Sequence, residues 1–287
     1  IPKKRMTLLA GAANAGKSYL ASQAVVSVQK AGGTAVWYDL EMSWDPVWMK
    51  RCGLDIASVI VSQPESAEET FDSMKEMMSA GVDLVVLDSI AGLVPMAVQD
   101  EDFGYNPMAW QARFVNSALP KLLPALKSGT AFIAINQLRS GIGRISVDKM
   151  PGGMGQEFYA HFILNVRRAG WIKEKINNVE EAVGFDMEIR CRKSKVGGQP
   201  LRACVIPFKL EGGIDLLETM IREALRVGLI KQFGAWYQVF DEEKKISGLN
   251  GVREFFANNE VKFQELKSKL SEINVFAVSS ADEDLDE

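Results

Sequence analysis

The sequence predicts an α/β protein: a mostly parallel, twisted sheet with helices on both faces, an antiparallel extension, and a small C-terminal α/β domain. Three observations carry this. Up to residue 137, near-continuous apolar runs of strand length alternate with segments of helical period, the pattern of parallel strands covered on both faces. After 137, apolar runs follow one another across turn-like or charged connections, as antiparallel strands do. From about 212 the helical period returns. The division predicted is a core over 1–211, a small domain over 212–280 and an acidic tail over 281–287.

The elements follow in order. Strands are predicted at MTLLAG (6–11), TAVWYDLE (34–41), SVIVSQ (58–63), DLVVLDS (83–89) and TAFIAINQ (130–137). Helices are predicted at 17–31, 45–52, 66–80 and about 107–127. FILNVRRAG, FDMEIRCRKSK and LRACVIPFKL read as the antiparallel extension, and LLETMIREALRVGLI, GVREFFAN and VKFQELKSKLSEI as the later helices. Residues 140–153, with four glycines and a proline, read as a long functional loop.

Composition excludes several classes. The most apolar stretch, VDLVVLDSIAGLVPMAV, is broken by Asp88 and Pro95, well short of the roughly 20 apolar residues that span a bilayer. No signal peptide is seen. Cys52, Cys191 and Cys204 are an odd count without metal-ligand spacing, which points to a reducing cytosol. The single histidine, His161, excludes most histidine metal sites and Ser-His triads, and inside FYAHFILNV it reads as a packed structural residue. The chain opens on Ile1 rather than Met, and an N-terminal piece is expected to precede it. The net charge of −4 hides a division: the last seven residues carry five acids, and without them the balance is +1. Residues 139–202 hold twelve Lys/Arg against seven Asp/Glu. The tail is either a solvated segment or a competitor with a polyanion for that basic surface.

Gly11 to Ser18, GAANAGKS, fits G-x-x-x-x-G-K-[ST], with a predicted strand before it and a helix after. Glycines let backbone amides turn in around phosphate oxygens, and the helix N-terminus adds its dipole. Lys17 can reach the β- and γ-phosphates and Ser18 can ligate Mg²⁺. DLVVLD places Asp88 at a strand end, where it can hold that Mg²⁺ through water. Hydrolysis also needs a carboxylate to orient water. Glu41 and Asp39, both near the end of one strand, compete for that role. Asn136-Gln137 ends another strand, where Gln137 can touch a γ-phosphate or merely cap. Lys193 and Lys195 in CRKSK share one strand face; they clamp phosphates or form an exposed charged edge.

In this order the pieces resemble the RecA family of ATP-dependent DNA recombinases, and the likeness covers nearly the whole chain. DLEMSWDP (39–46), LDSIAGLVP (87–95), INQLRSGIG followed by PGGMGQEFYA, and GGID with LLETMIREALRVGLIKQFGAWY are similar to successive family segments. GGID and the acidic end are also similar to phage-encoded members. The resemblance implies a RecA-like P-loop ATPase core and ATP with Mg²⁺ as cofactors. ATP would be bound by Gly11, Ala12, Ala13, Asn14, Ala15, Gly16, Lys17, Ser18 and Tyr19, with Asp45, Pro46 and Trp48 bordering the adenine. Ser18 and Asp88 would hold the metal, Glu41 would activate water and Gln137 would sense the γ-phosphate. Lys193 and Lys195 would reach the ATP of a neighbouring subunit, and Phe158 would lie at that interface. DNA would meet Met108, Arg113 and Asn116 in a first loop region. Arg139, Ile142, Gly143 and Arg144 would meet it in a second loop that Gly152 and Gly153 close.

The resemblance further implies a helical filament on single-stranded DNA that pairs with a homologous duplex in the cytoplasm of a bacterial or phage-infected cell. Three departures stand out. Ala12, Ala13 and Asn14 replace the usual loop interior, the 138–151 loop looks short, and the family's N-terminal docking helix and strand are not in this sequence. A ring helicase, a small-molecule phosphotransferase and a non-hydrolysing DNA-binding paralogue are the competing readings. The helicase is disfavoured by the C-terminal domain and tail, the phosphotransferase by only two arginines in 139–153, and the paralogue by Glu41, Lys17 and Asp88 together.

Overall fold

The computed structural model describes residues 1–98, 108–138, 150–195, 197, 203–240 and 242–283, with the side chains of 108 and 274–283 left out. The order is β1 (Met6–Gly11), α1 (Lys17–Lys30), β2 (Ala35–Asp39), α2 (Pro46–Arg51), β3 (Val59–Ser62), α3 (Ala67–Ser79), β4 (Leu84–Asp88), α4 (Met108–Leu122), β5 (Ala131–Gln137) and α5 (Gly155–Tyr159). There follow β6 (Phe162–Ile176), β7 (Val179–Ser194), β8 (Ala203–Lys209), β9 (Gly213–Ile214), α6 (Leu216–Arg226), β10 (Ile230–Phe233), β11 (Trp236–Val239), β12 (Lys245–Ser247), α7 (Gly248–Ala257) and α8 (Glu260–Glu283).

Nine strands form one sheet in the order β3-β2-β4-β5-β1-β6-β7-β8-β9. The pairs from β3 through β6 are parallel. Residues of period two alternate between its faces. Val85 and Leu87 join Met74, Met78, Leu119 and Leu122 on one side, while Leu84 and Val86 join Val25, Val26 and Met49 on the other. Covering on both faces hides the central strands, and β1, β2 and β4 are buried throughout.

The strands' carboxyl ends lie on one edge, where the crossover loops gather. Several boundaries differ from expectation for physical reasons. The strand read as 34–41 stops at Asp39, because the Asp39 carboxylate accepts from the N–H groups of Ser43 (3.1 Å) and Trp44 (3.0 Å) and folds the chain out of the strand. The helix read to 127 ends at Leu122 and tightens to a 3-10 turn over Leu123–Ser128, where Pro124 supplies no N–H. FILNVRRAG, expected to begin the antiparallel part, instead pairs parallel with β1, Thr7 opposite Phe162. The antiparallel part begins one strand later. Asn177 and Asn178, at φ 52 and 66, make a two-residue turn of the left-handed type between β6 and β7.

The chain divides into two compact units, 1–170 with 187–205, and 171–186 with 206–287. The second unit has its own core, in which Met220, Ile221, Val239, Val252, Phe256 and Leu266 pack between α6, α7, α8 and the antiparallel sheet β10-β11-β12. There α6 stops at Arg226, short of the run read to 230, because Gly228 (φ 80) turns the chain into β10.

Candidate active site

The site sits where β1, β2, β4 and β5 end. Gly11 closes β1, and a Cβ there would lie 2.0 Å from the carbonyl oxygen of Val166 on β6, so the strand packing itself requires glycine. Asn14 (φ 55) and Gly16 (φ 95) then turn the loop. Gly16 precedes α1 with no side-chain cap, which leaves the helix's first N–H groups to an anionic ligand. Ala12, Ala13 and Asn14 are exposed, whereas Ala15 is buried beneath them. Tyr19, in the first turn of α1, is buried.

Lys17 is buried and its ammonium donates to the carbonyls of Gly11 (3.1 Å) and Ala12 (2.7 Å), folded back across its own loop. Burial lowers its pKa, opposed by the negative charges of Asp88 and Glu41. Asp88, 3% exposed, is pushed up to about 6 mainly by burial. The Ser18 hydroxyl that bonds it and the Lys17 charge pull the other way, and Glu41 and Asp39 push it higher. Such a buried carboxyl, hydrogen-bonded to Ser18 and crowded by other acids, is suited to a hard divalent cation.

Of the two competing carboxylates, Asp39 is 1% exposed. It is occupied by Ser43, Trp44 and the Gln63 side-chain amide (2.8 Å). It organises the loop. Glu41 is exposed just beyond the strand, and its Oε1 accepts from Ser89 Oγ (2.5 Å) and Gln137 Nε2 (3.0 Å). The structure thus brings Glu41 and Gln137 into one hydrogen-bonded pair at the edge that carries the phosphate loop. Ser89, which completes it, was not singled out from sequence. Its position directly after Asp88 was the available signal.

The Asp45 carboxylate caps α2 by accepting from the N–H groups of Val47 and Trp48, with Pro46 in the first turn. Trp48 is half-buried on that helix. Lys193 and Lys195 bond elsewhere: Lys193 Nζ donates to the carbonyls of Glu157 (2.5 Å) and Phe158 (3.0 Å), and Lys195 Nζ to Phe158 (3.2 Å). They gather at the end of α5 around Phe158, which is 68% exposed and stacked edge-on with Tyr159.

Of the DNA-facing candidates, Arg113 lies exposed on α4 with its guanidinium 5.7 Å from the Trp110 ring, an aromatic partner that sequence reading missed. Asn116 stands by α5: a Cβ on Gly155 would fall 1.8 Å from its Oδ1. Gly152 (φ 83) and Gly153 (φ 74) press against Ile90 and Ala112, so close packing as well as φ selects glycine there. Met108 begins α4, its side chain undescribed, and Arg139, Ile142, Gly143 and Arg144 lie outside the described residues.

A glycine loop between β1 and α1, a buried acid at the end of β4 and a carboxylate–amide pair beside them define a P-loop ATPase core. Residues 1–215 match the RecA N-terminal domain. The chain is 36% identical over 263 residues to Protein RecA of Chlorobaculum parvum, covering 90% of this chain and 74% of that protein. It is 32% identical over 276 residues to Protein RecA of Thermus aquaticus, covering 95% and 80%. With Protein RecA of Chloroherpeton thalassium it shares 32% over 290 residues, covering 99% and 80%. The chain belongs to the RecA family. Among the described residues, no helix is long and apolar enough to cross a membrane.

Proposed function

We infer that this chain is an ATP-dependent recombination protein that hydrolyses ATP in response to DNA and drives homologous pairing and strand exchange. The observation that carries the reading is the Glu41–Gln137 pair beside Lys17, Ser18 and Asp88. Phosphoryl transfer to water needs little covalent chemistry and much positioning. The loop amides and Lys17 cradle the phosphates, while Ser18 and Asp88 would hold Mg²⁺, which would offset the charge developing on them. Glu41 orients the attacking water. Gln137, which donates to Glu41, stands where it can turn to the γ-phosphate of ATP and so free the carboxylate.

The partners in this reading are single-stranded DNA, a homologous duplex and further copies of the chain in a filament. Exposed Phe158 and the lysines beside it support a site shared between subunits. The exposed Arg113–Trp110 pair supports contact with backbone phosphate and stacked bases. The test is ATP turnover with and without single-stranded DNA, with Lys17→Ala as the blank. DNA stimulation that disappears in Lys17→Ala is expected; turnover indifferent to DNA overturns the reading.

A further inference from the structure

Behind Gln137 lies a buried amide relay that the nucleotide chemistry does not itself use. Asn136 and Gln156 are both 0% exposed. Asn136 Oδ1 accepts from the backbone N–H of Gln137 (2.8 Å). Its Nδ2 donates to the Pro151 carbonyl (2.8 Å) and to Gln156 Oε1 (2.7 Å). Gln156 Nε2 in turn donates to the carbonyls of Pro151 (2.5 Å) and Gly153 (3.0 Å). All four amide N–H bonds therefore have acceptors. Two side chains, one from β5 and one from α5, hold the two carbonyls that bracket Gly152.

The relay has a second end. Gln156 belongs to α5, a five-residue helix whose Glu157 and Phe158 carbonyls accept from Lys193 and Lys195. The hydrogen-bonded path thus runs from Glu41 through Gln137, Asn136 and Gln156 to α5, and so to Phe158 and the lysines. An apolar side chain of similar length would fill the space at 156. The amide adds direction: where both side chains are fully buried, each polar group must keep a partner, so displacement of one obliges the others to follow.

We propose that Gln156 is a positioning residue that couples the nucleotide state read by Gln137 to the Gly152–Gly153 stem and to the α5 surface. This rests on the reading of Gln137 as the nucleotide-facing residue. Gln156 touches neither ATP nor DNA. It sets whether the stem and α5 follow Gln137 when Gln137 leaves Glu41.

The experiment compares wild type with Gln156→Met and Gln156→Glu, the latter keeping the acceptor for Asn136 and losing both donors. Two readouts are taken on the full chain: hydrogen exchange of amides 152–160 with and without a non-hydrolysable ATP analogue and Mg²⁺, and turnover with and without single-stranded DNA. Wild type is expected to gain protection at 152–160 on adding the analogue, and both variants to lose that gain. DNA stimulation is expected to fall about tenfold in the variants while basal turnover and the KM for ATP stay unchanged, the size of a typical coupling between sites. If either folded variant keeps the nucleotide-dependent protection, the coupling role is overturned. A parallel fall in basal and stimulated turnover, with a lowered melting midpoint, also overturns it and leaves a merely structural residue. Wild type that shows the protection but ignores DNA overturns the recombinase reading and leaves the coupling supported.

Discussion

Two carboxylates two residues apart meet opposite fates in this site, and the difference lies in their hydrogen bonds. Asp39 is saturated by Ser43, Trp44 and Gln63, whereas Glu41, among the described residues, is held by Ser89 and Gln137. Removing the charge from Glu41 while keeping its shape is therefore expected to stop chemistry and spare binding. Glu41→Gln should lower kcat by about 100-fold or more with nucleotide affinity retained. Steady-state turnover beside equilibrium binding of a fluorescent nucleotide checks both. Asp39→Asn should instead lower stability, because a buried acceptor bonded by three residues is impaired. Gly11 makes a second residue-scale prediction. Its Cβ would meet the Val166 carbonyl at 2.0 Å, so Gly11→Ala should destabilise by about 3 kcal/mol or more, read in a urea titration.

At the scale of elements, β6 opens with the single histidine's neighbour and makes a pH prediction. His161 Nδ1 accepts from the Met6 N–H (3.3 Å), and burial, helped by Arg5, Lys195 and Lys193, holds its pKa below the ordinary histidine value. The folded state then binds fewer protons than the unfolded chain between the two values. Stability is complete above about pH 6.5 and falls as pH drops through that window. The urea midpoint should show the fall in wild type, and His161→Asn should remove it. The end of α5 makes another prediction. If Lys193 serves a neighbour's ATP, mixing inactive Lys193→Ala with inactive Glu41→Gln should restore turnover; no recovery would assign the lysine to its own subunit.

The phosphate loop, the existence and parallel class of the first five strands, and the strand-end place of Asp88 were legible in the sequence, because each follows from local pattern and spacing; the order of those strands in the sheet was not. The parallel pairing of β6 was not legible, since an apolar run does not say on which side of β1 it will lie. Nor were Gln111 and Gln156, polar residues buried among carbonyls, since only the fold supplies their acceptors.

At the scale of the whole molecule, a net charge of −4 conceals local basic surface, so DNA affinity is expected to be set by a few arginines rather than by overall attraction. Affinity should fall with salt, and Arg113→Ala should reduce the slope of log K against log salt by about one, measured by fluorescence anisotropy on single-stranded DNA. Strand order has one more consequence. β1 lies between β5 and β6, with Met6 beside Phe132 and Thr7 beside Phe162. A ribosome delivers β1 well before either neighbour, by on the order of ten seconds at ordinary synthesis rates. Through that interval the apolar strand that carries the phosphate loop has no sheet to join. The nascent chain is thus a natural client for holding chaperones, and its ATP-binding competence arrives abruptly, when β5 and β6 close around β1.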